Sequence, residues 1–352
     1  MYLVIAILIF SFLIFIHELG HFVACKSFGV KVNEFAIFMG PKLLQWGKGE
    51  TKYSLRLFPV GGFCAMEGED GGSDDPRSFT AQAPWKRCII LAAGAFMNFV
   101  TGFVILVLLY VSATGFRTLE VTGFVEGCPL EGPQGLMVGD VLEEVEGDNL
   151  YIFSDFQMLT ERAGEGPMDL TVRRDGKSVE LHLDMTKRDY TIDGQTQHIY
   201  GLLLGGVEEK TVGSLLKNAW YTSVDFCRMV KMGLFDLITG RAGMKDMSGP
   251  VGIVDTIQET GSSAESTVDG ILNVLYFGAF IAINLSVMNM LPLPALDGGR
   301  IFCLILTAII ETVTRKRLNP KYEGYVHGVG MILLMGLMVF VTFQDIFRLV
   351  VG

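Results

Sequence analysis

The chain opens on an uncharged apolar run, MYLVIAILIFSFLIFI, that leads without a break into His17-Glu18-Leu19-Gly20-His21. No other feature restricts the fold as tightly. A run of that kind is suited to lipid, and three ionisable side chains inside a lipid-spanning helix are costly unless they face the protein interior and have work to do there. A bilayer core of about 30 Å takes roughly 20 apolar residues as a helix. Four stretches meet or approach that length, at 1–28, 88–113, 271–291 and 325–347. A shorter apolar run at 301–310 is too short to span and reads as interfacial or internally packed. The first run lacks a basic leader and a small-residue cleavage site, so it reads as a retained span and not a signal peptide. Only 19% of the 352 residues are charged, against about 25% in soluble domains.

Charge orients the spans. Lys86 and Arg87 abut the second span, and Arg315, Lys316, Arg317 and Lys321 precede the fourth. Basic flanks lie on the cytoplasmic side, which puts the N-terminus outside, runs spans one and three inward, and returns the C-terminus to the outside. Acidic residues outnumber basic ones along 116–265, as expected of an external portion. With 28 Lys+Arg against 38 Asp+Glu and a net charge of −10, the chain lacks the basic surface that phosphate binding needs, so a nucleic-acid partner is excluded. The six cysteines are scattered and never fall in C-x-x-C, which argues against a disulfide framework and a cysteine-type zinc site.

The expected fold class is a polytopic α-helical membrane protein of four spans, with a membrane-associated β-hairpin loop and one inserted β-rich domain outside the cell. The divisions are 1–28 (span one, with the histidines), 29–84 (a cytoplasmic or membrane-dipping β-loop containing TKYSLRLFPV and GGFCAMEGEDGGSDD) and 85–115 (span two). They continue with 116–207 (the β-rich insert), 208–268 (an amphipathic external segment), 269–313 (span three, a Pro/Asp-Gly-Gly motif and a short apolar helix) and 314–352 (a basic loop and span four). Within the insert, TLEVTGFVEG reads as a strand, FSDFQMLTERAG as a helix, and LTVRRDGKSVELHLDM as a hairpin turning on Asp175-Gly176.

His17 and His21 stand four residues apart, on one helix face. Both imidazoles can therefore reach one zinc ion, with Glu18 placed to take a proton from water there. At 1.5 Å per residue His17 lies roughly 24 Å along the first span, nearer the cytoplasm. A catalytic zinc takes three protein ligands and keeps one position open. His182 and His198 lie in the insert, across the bilayer, and His327 reads as a polar group at the end of span four. Asp297, in Asn289-Met-Leu-Pro-Leu-Pro-Ala-Leu-Asp297-Gly298-Gly299, is the better third ligand. Two prolines interrupt the helix there, freeing backbone and carboxylate to face a cavity. Spans one and three run the same way, so His21 and Asp297 can meet at one depth. Asn284 and Asn289 either bond neighbouring helices or grip a substrate's peptide groups.

HELGH in the first span and N-x-L-P-x-P-x-L-D-G-G after the third resemble the site-2 proteases, which are intramembrane zinc metalloproteases. The motif G-L-x-x-G-D-V-L-x-x-V-x-G at 135–147 resembles a bacterial PDZ domain, a module that takes an extended peptide as an added strand. One such insert, the sequence SGPVGI and four spans are similar to the bacterial RseP-like (regulator of sigma-E protease) branch, in a short form with one PDZ domain. The resemblance implies a metalloendopeptidase with one zinc per chain, held by His17, His21 and Asp297. It also implies Glu18 as base, Asn289 and Asn284 toward substrate, and loop 50–66 as a hairpin that clamps substrate as a strand. The implied setting is a bacterial plasma membrane with the PDZ-like domain outside. The implied partners are the lipid bilayer, single-span substrates such as trimmed anti-sigma factors or remnant signal peptides, and an upstream site-1-type protease. One departure is Ala95, where the family has proline after the glycine at 94. A catalytically silent scaffold whose PDZ domain collects partners is the competing expectation. A transporter would favour more spans and an internal repeat, and neither is present.

Overall fold

The computed structural model describes residues 2–69, 73–192, 194–243, 247–315 and 321–351. Lys316 and Arg317 of the basic run, and residues 70–72 of the GGFCAMEGEDGGSDD stretch, lie outside them. In chain order the elements are α1 (Tyr2–Ser27), β1 (Val32–Trp46), β2 (Lys52–Met66), α2 (Pro84–Tyr110), β3 (Gly115–Arg117), β4 (Val121–Phe124), β5 (Val141–Val145), β6 (Asp148–Asn149), α3 (Phe153–Ala163), β7 (Pro167–Arg174), β8 (Lys177–Asp184), β9 (Arg188–Ile192), β10 (Gln195–Ile199), β11 (Leu202–Leu204), β12 (Val207–Glu209), α4 (Val212–Thr239), α5 (Pro250–Ser262), α6 (Thr267–Asn289), α7 (Asp297–Thr314) and α8 (Lys321–Val351). Two compact units divide them: residues 1–106 with 226–352, and residues 107–225.

Among the described residues, four helices of the chain are long and apolar enough to cross a membrane: Val4–Ser27, Pro84–Tyr110, Thr267–Asn289 and Gly324–Arg348. Small residues let them close on each other, because packing rather than water expulsion drives helix association in lipid. A Cβ on Gly20 of α1 would lie 2.3 Å from the Ala93 carbonyl oxygen of α2, and one on Gly102 of α2 would lie 2.6 Å from Ile283 of α6. Ala6 and Leu13 of α1 are buried with Val274, Ile281 and Ala282 of α6 and with Ile257 of α5. The SGPVGI segment thus enters the bundle as the start of α5, with Gly249 as its N-cap and Pro250 inside its first turn. Asp345 of α8 completes that start by accepting the Gly252 N–H at 2.8 Å.

β1 and β2 form one antiparallel ribbon folded back on itself. Phe35 is flanked by Cys64 on one side and Tyr53 on the other, so the first half of β1 lies between the two halves of β2. The second half of β2 is left as an edge beside α1. Phe35, Cys64 and Met66 join Cys25 of α1, Ile90 and Leu91 of α2 and Leu304 of α7 in a second buried cluster. Ser11 of α1 pins the ribbon by donating to the Pro59 carbonyl at 2.7 Å.

α7 is longer than the short apolar run suggested. Its 18 residues begin at Asp297 itself, and Arg300, Thr307, Glu311 and Thr314 recur along one side of it.

In the second unit the main sheet has the order β6-β5-β7-β8. β7 and β8 turn at Asp175 (φ 52°) and Gly176 (φ 76°), the paired left-handed conformations of a tight hairpin. Asp140, the aspartate of the G-L-x-x-G-D-V-L motif, accepts the Met137 N–H at 2.8 Å and takes both a 2.8 Å and a 2.6 Å bond from Arg174 at the end of β7. α3 starts at a carboxylate cap: Asp155 accepts the N–H groups of Tyr151 and Ile152.

Candidate metal centre

Three donors meet where α1, α2 and α7 converge. Asp297 Oδ2 lies 3.1 Å from His17 Nε2 and 3.4 Å from His21 Nε2. The two Nε2 atoms are 3.2 Å apart, with the rings nearly perpendicular at 87°. His21 is 5% exposed, and the other two are largely covered. These are the only three His, Cys, Asp or Glu side chains gathered closely enough to share one metal ion among the described residues.

The spacing tests whether such an ion fits. A tetrahedral zinc with bonds of about 2.0 Å presents its ligands on edges of roughly 3.3 Å, and the observed triangle has sides of 3.1, 3.2 and 3.4 Å. Asp297 Oδ2 is buried and makes no hydrogen bond, although two ring nitrogens stand beside it. A buried carboxylate oxygen is not left this way without cause. A cation shared by the three atoms accounts for it.

Groups behind the donors set their direction. His21 Nδ1 lies 2.8 Å from the Ile90 carbonyl. A carbonyl only accepts, so Nδ1 carries the proton and Nε2 presents its lone pair. His17 Nδ1 faces the Asn98 amide at 3.4 Å, while Asn98 Oδ1 is buried with no hydrogen-bond partner. With the amide turned so that its oxygen faces the ring, Nδ1–H donates to Oδ1 and the second lone pair is directed toward Asp297. Gly94, one turn before Asn98, packs its backbone against both rings.

Asp297 arrives by a different route. It is the first residue of α7, after the N-cap Leu296. The turn before it contains Ala295 at φ 72°. A Cβ on Gly298 would meet the Met290 carbonyl carbon at 2.3 Å, and one on Gly299 the Leu293 carbonyl oxygen at 2.0 Å. The two glycines therefore let the proline-containing turn fold directly onto the helix start.

Glu18 points to the neighbouring strand. Gly62 of β2 packs beside its Cγ. Asn284 and Asn289 are half-buried in the last two turns of α6 and are not part of the donor triangle. His182 and His198 pair with Asp169 and Asp189 in the second unit. His327 lies at the Asp297 turn, where its Nδ1 accepts the Ala295 N–H at 3.2 Å.

Residues 5–337 match the model of peptidase family M50. The chain belongs to that family. It is similar to a "Putative zinc metalloprotease" of Clostridium perfringens, at 38% identity over 98% of both chains. It is also similar to the "Regulator of sigma-W protease RasP" of Bacillus subtilis, at 30% identity over 97% of both. M50 membership makes the chain an enzyme of the protease class and does not favour the scaffold reading. The expected kinship with RseP-like proteases is met by the RasP relative. Gly94, Asn98 and His327 were not among the expected site residues. Asn98 and His327 do carry one usable signal, a polar side chain within or beside an apolar span.

Proposed function

We propose that the chain is an intramembrane zinc endopeptidase that cuts peptide bonds inside the membrane segments of single-span proteins. The observation that carries this reading is the convergence of His17, His21 and Asp297 from helices far apart in sequence, at a point deep along a membrane-length helix. These three hold one zinc ion. When bound, the ion supplies Lewis acidity to the peptide carbonyl and to water.

The chain's own groups do the rest. Asn98 and the Ile90 carbonyl fix the imidazole tautomers. Glu18 takes a proton from the attacking water and delivers it to the leaving nitrogen, a role worth about 10²–10⁴ in rate. A helical substrate hides its carbonyls in internal hydrogen bonds and must unwind locally. The free edge of β2, beside Glu18, offers backbone groups to replace those bonds, with Asn284 and Asn289 holding neighbouring peptide groups.

The second unit is a PDZ-like domain on the extracytoplasmic side of a bacterial plasma membrane. It screens substrates by the size of their external portion, so an upstream protease trims them first. The name of the RasP relative, a sigma-W regulator, supports trimmed anti-sigma factors as one substrate class, beside remnant signal peptides. The test is cleavage of a tagged single-span protein by the purified chain in detergent. Wild type should cut within the span, and Glu18→Gln should retain zinc yet lose cleavage. Cleavage that survives Glu18→Gln would overturn the mechanism.

A further inference from the structure

We infer that His327, at the start of α8, is a positioning residue for the metal centre: its Nδ1 holds the Ala295 backbone in the conformation that aims Asp297 at the two histidines. The inference rests on the three-ligand reading above. Ala295 has φ 72°, a left-handed conformation that residues with a Cβ seldom adopt and that persists only where the surroundings impose it. Within its immediate turn, Leu293 N bonds Leu291 O and Leu296 N bonds Leu293 O. The Ala295 N–H does not join that pattern. It donates out of the turn to His327 Nδ1 at 3.2 Å.

A second contact shows that α8 is built to sit there. A Cβ on Gly330 would lie 2.1 Å from Pro294 Cβ and 3.0 Å from its carbonyl carbon. Residues three apart share a helix face, so His327 and Gly330 present one side of α8 to consecutive residues of the turn. Gly330 supplies the close approach and His327 supplies the acceptor. Asp297 follows two residues later, with little freedom left between Ala295 and the first turn of α7. The imidazole therefore acts on the metal through Ala295 and not by ligation. Its ring needs no part in the chemistry.

The experiment is zinc affinity of the full chain in detergent. Metal-free protein is titrated with zinc against a competing chelator, with thermal unfolding of the metal-free form measured in parallel. Residues that orient a ligand typically contribute about 10–100-fold to metal affinity, so His327→Leu, which has no acceptor, should bind zinc weaker by that order. His327→Asn places an oxygen on the same branch as Nδ1 and should recover most of the loss. His327→Gln, whose oxygen is one bond further out, should not. Adding Ala295→Gly to His327→Leu should recover part of the affinity, because glycine takes φ 72° without a steric penalty. A general packing role would not produce that pattern. Undiminished zinc affinity in His327→Leu, or an equal loss in the Leu and Asn variants with unchanged metal-free stability, would overturn the inference. A wild-type chain that takes up no zinc would instead remove the three-ligand reading, and this inference with it.

Discussion

Gly94 of α2 stands so close to His21 of α1 that a Cβ built on it would lie 2.5 Å from Nε2, and 2.8 Å from Nε2 of His17. The space in front of both lone pairs is open because residue 94 has no side chain. Gly94→Ala should therefore fill it. Metal analysis of the purified variant should find zinc well below one equivalent, in a protein whose helix content is unchanged. A full equivalent of zinc would mean that the metal lies elsewhere.

Asp140 and Arg174 tie the loop before β5 to the end of β7, with Asp140 1% exposed. Removing one member of a buried pair leaves the other charge without its partner and costs about 3–5 kcal/mol. Arg174 is partly exposed, so Asp140→Ala should fall near the lower end. Hydrogen exchange on the intact chain should show faster exchange in β5, β7 and β8, with α1 and α6 unchanged. Equal protection in both proteins would show that the pair is not structural.

Acid should loosen the ribbon as well as the β-rich unit. Burial alone would raise the Glu34 carboxyl, but hydrogen bonds from Ser54, Arg56 and Lys42 outweigh it and hold the value at about 2. Asp140 is likewise lowered, burial being outweighed by Arg174 and the Met137 N–H. A carboxylate whose folded value is depressed stabilises the fold above its unfolded value, about 4, and that contribution is lost as pH falls through the folded value. Protection of β1, β2, β5 and β7, corrected for intrinsic exchange, should be flat from pH 7 to about 5 and decline below about 4. Replacing Glu34 by Gln should flatten the decline in the ribbon alone. A ribbon equally acid-sensitive without Glu34 would contradict this assignment.

Asp345 caps α5 from across the bundle. Loss of such a cap costs about 0.5–2 kcal/mol, so Asp345→Ala should lower the thermal midpoint in detergent. Asp345→Asn, which keeps an acceptor for the Gly252 N–H, should do so less. An equal drop in both would point to charge rather than capping.

The centre was legible in unequal parts. His17, Glu18 and His21 stand out because a helix turns a four-residue spacing into a shared face. Asp297 stands out because two prolines and two glycines surround it in an otherwise apolar stretch. Gly94 and Asn98 meet the histidines across a helix–helix contact and His327 meets the turn before α7, and nothing in their own neighbourhood records which residue they will face. The fold shows the same division. The four long apolar helices follow from composition, whereas Gly40-Pro41 and Gly61-Gly62 mark the reversals in the ribbon without recording that β1 will pair with both halves of β2. α7 extends past its apolar run because Arg300, Thr307 and Glu311, which interrupt that run, fall on one side at helical spacing. SGPVGI carries no local sign of its place, which is set by the packing of α5 against α1 and α6 and by its cap from α8.

The account turns on one ion shared by His17, His21 and Asp297, and X-ray absorption at the zinc edge of the purified chain tests it most directly. The spectrum should show imidazole scattering from two histidines and light-atom ligands at about 2.0–2.1 Å, with the signal lost in the Asp297→Ala, His17→Ala double variant. Sulfur scattering at about 2.3 Å, or an unchanged spectrum in that variant, would contradict it.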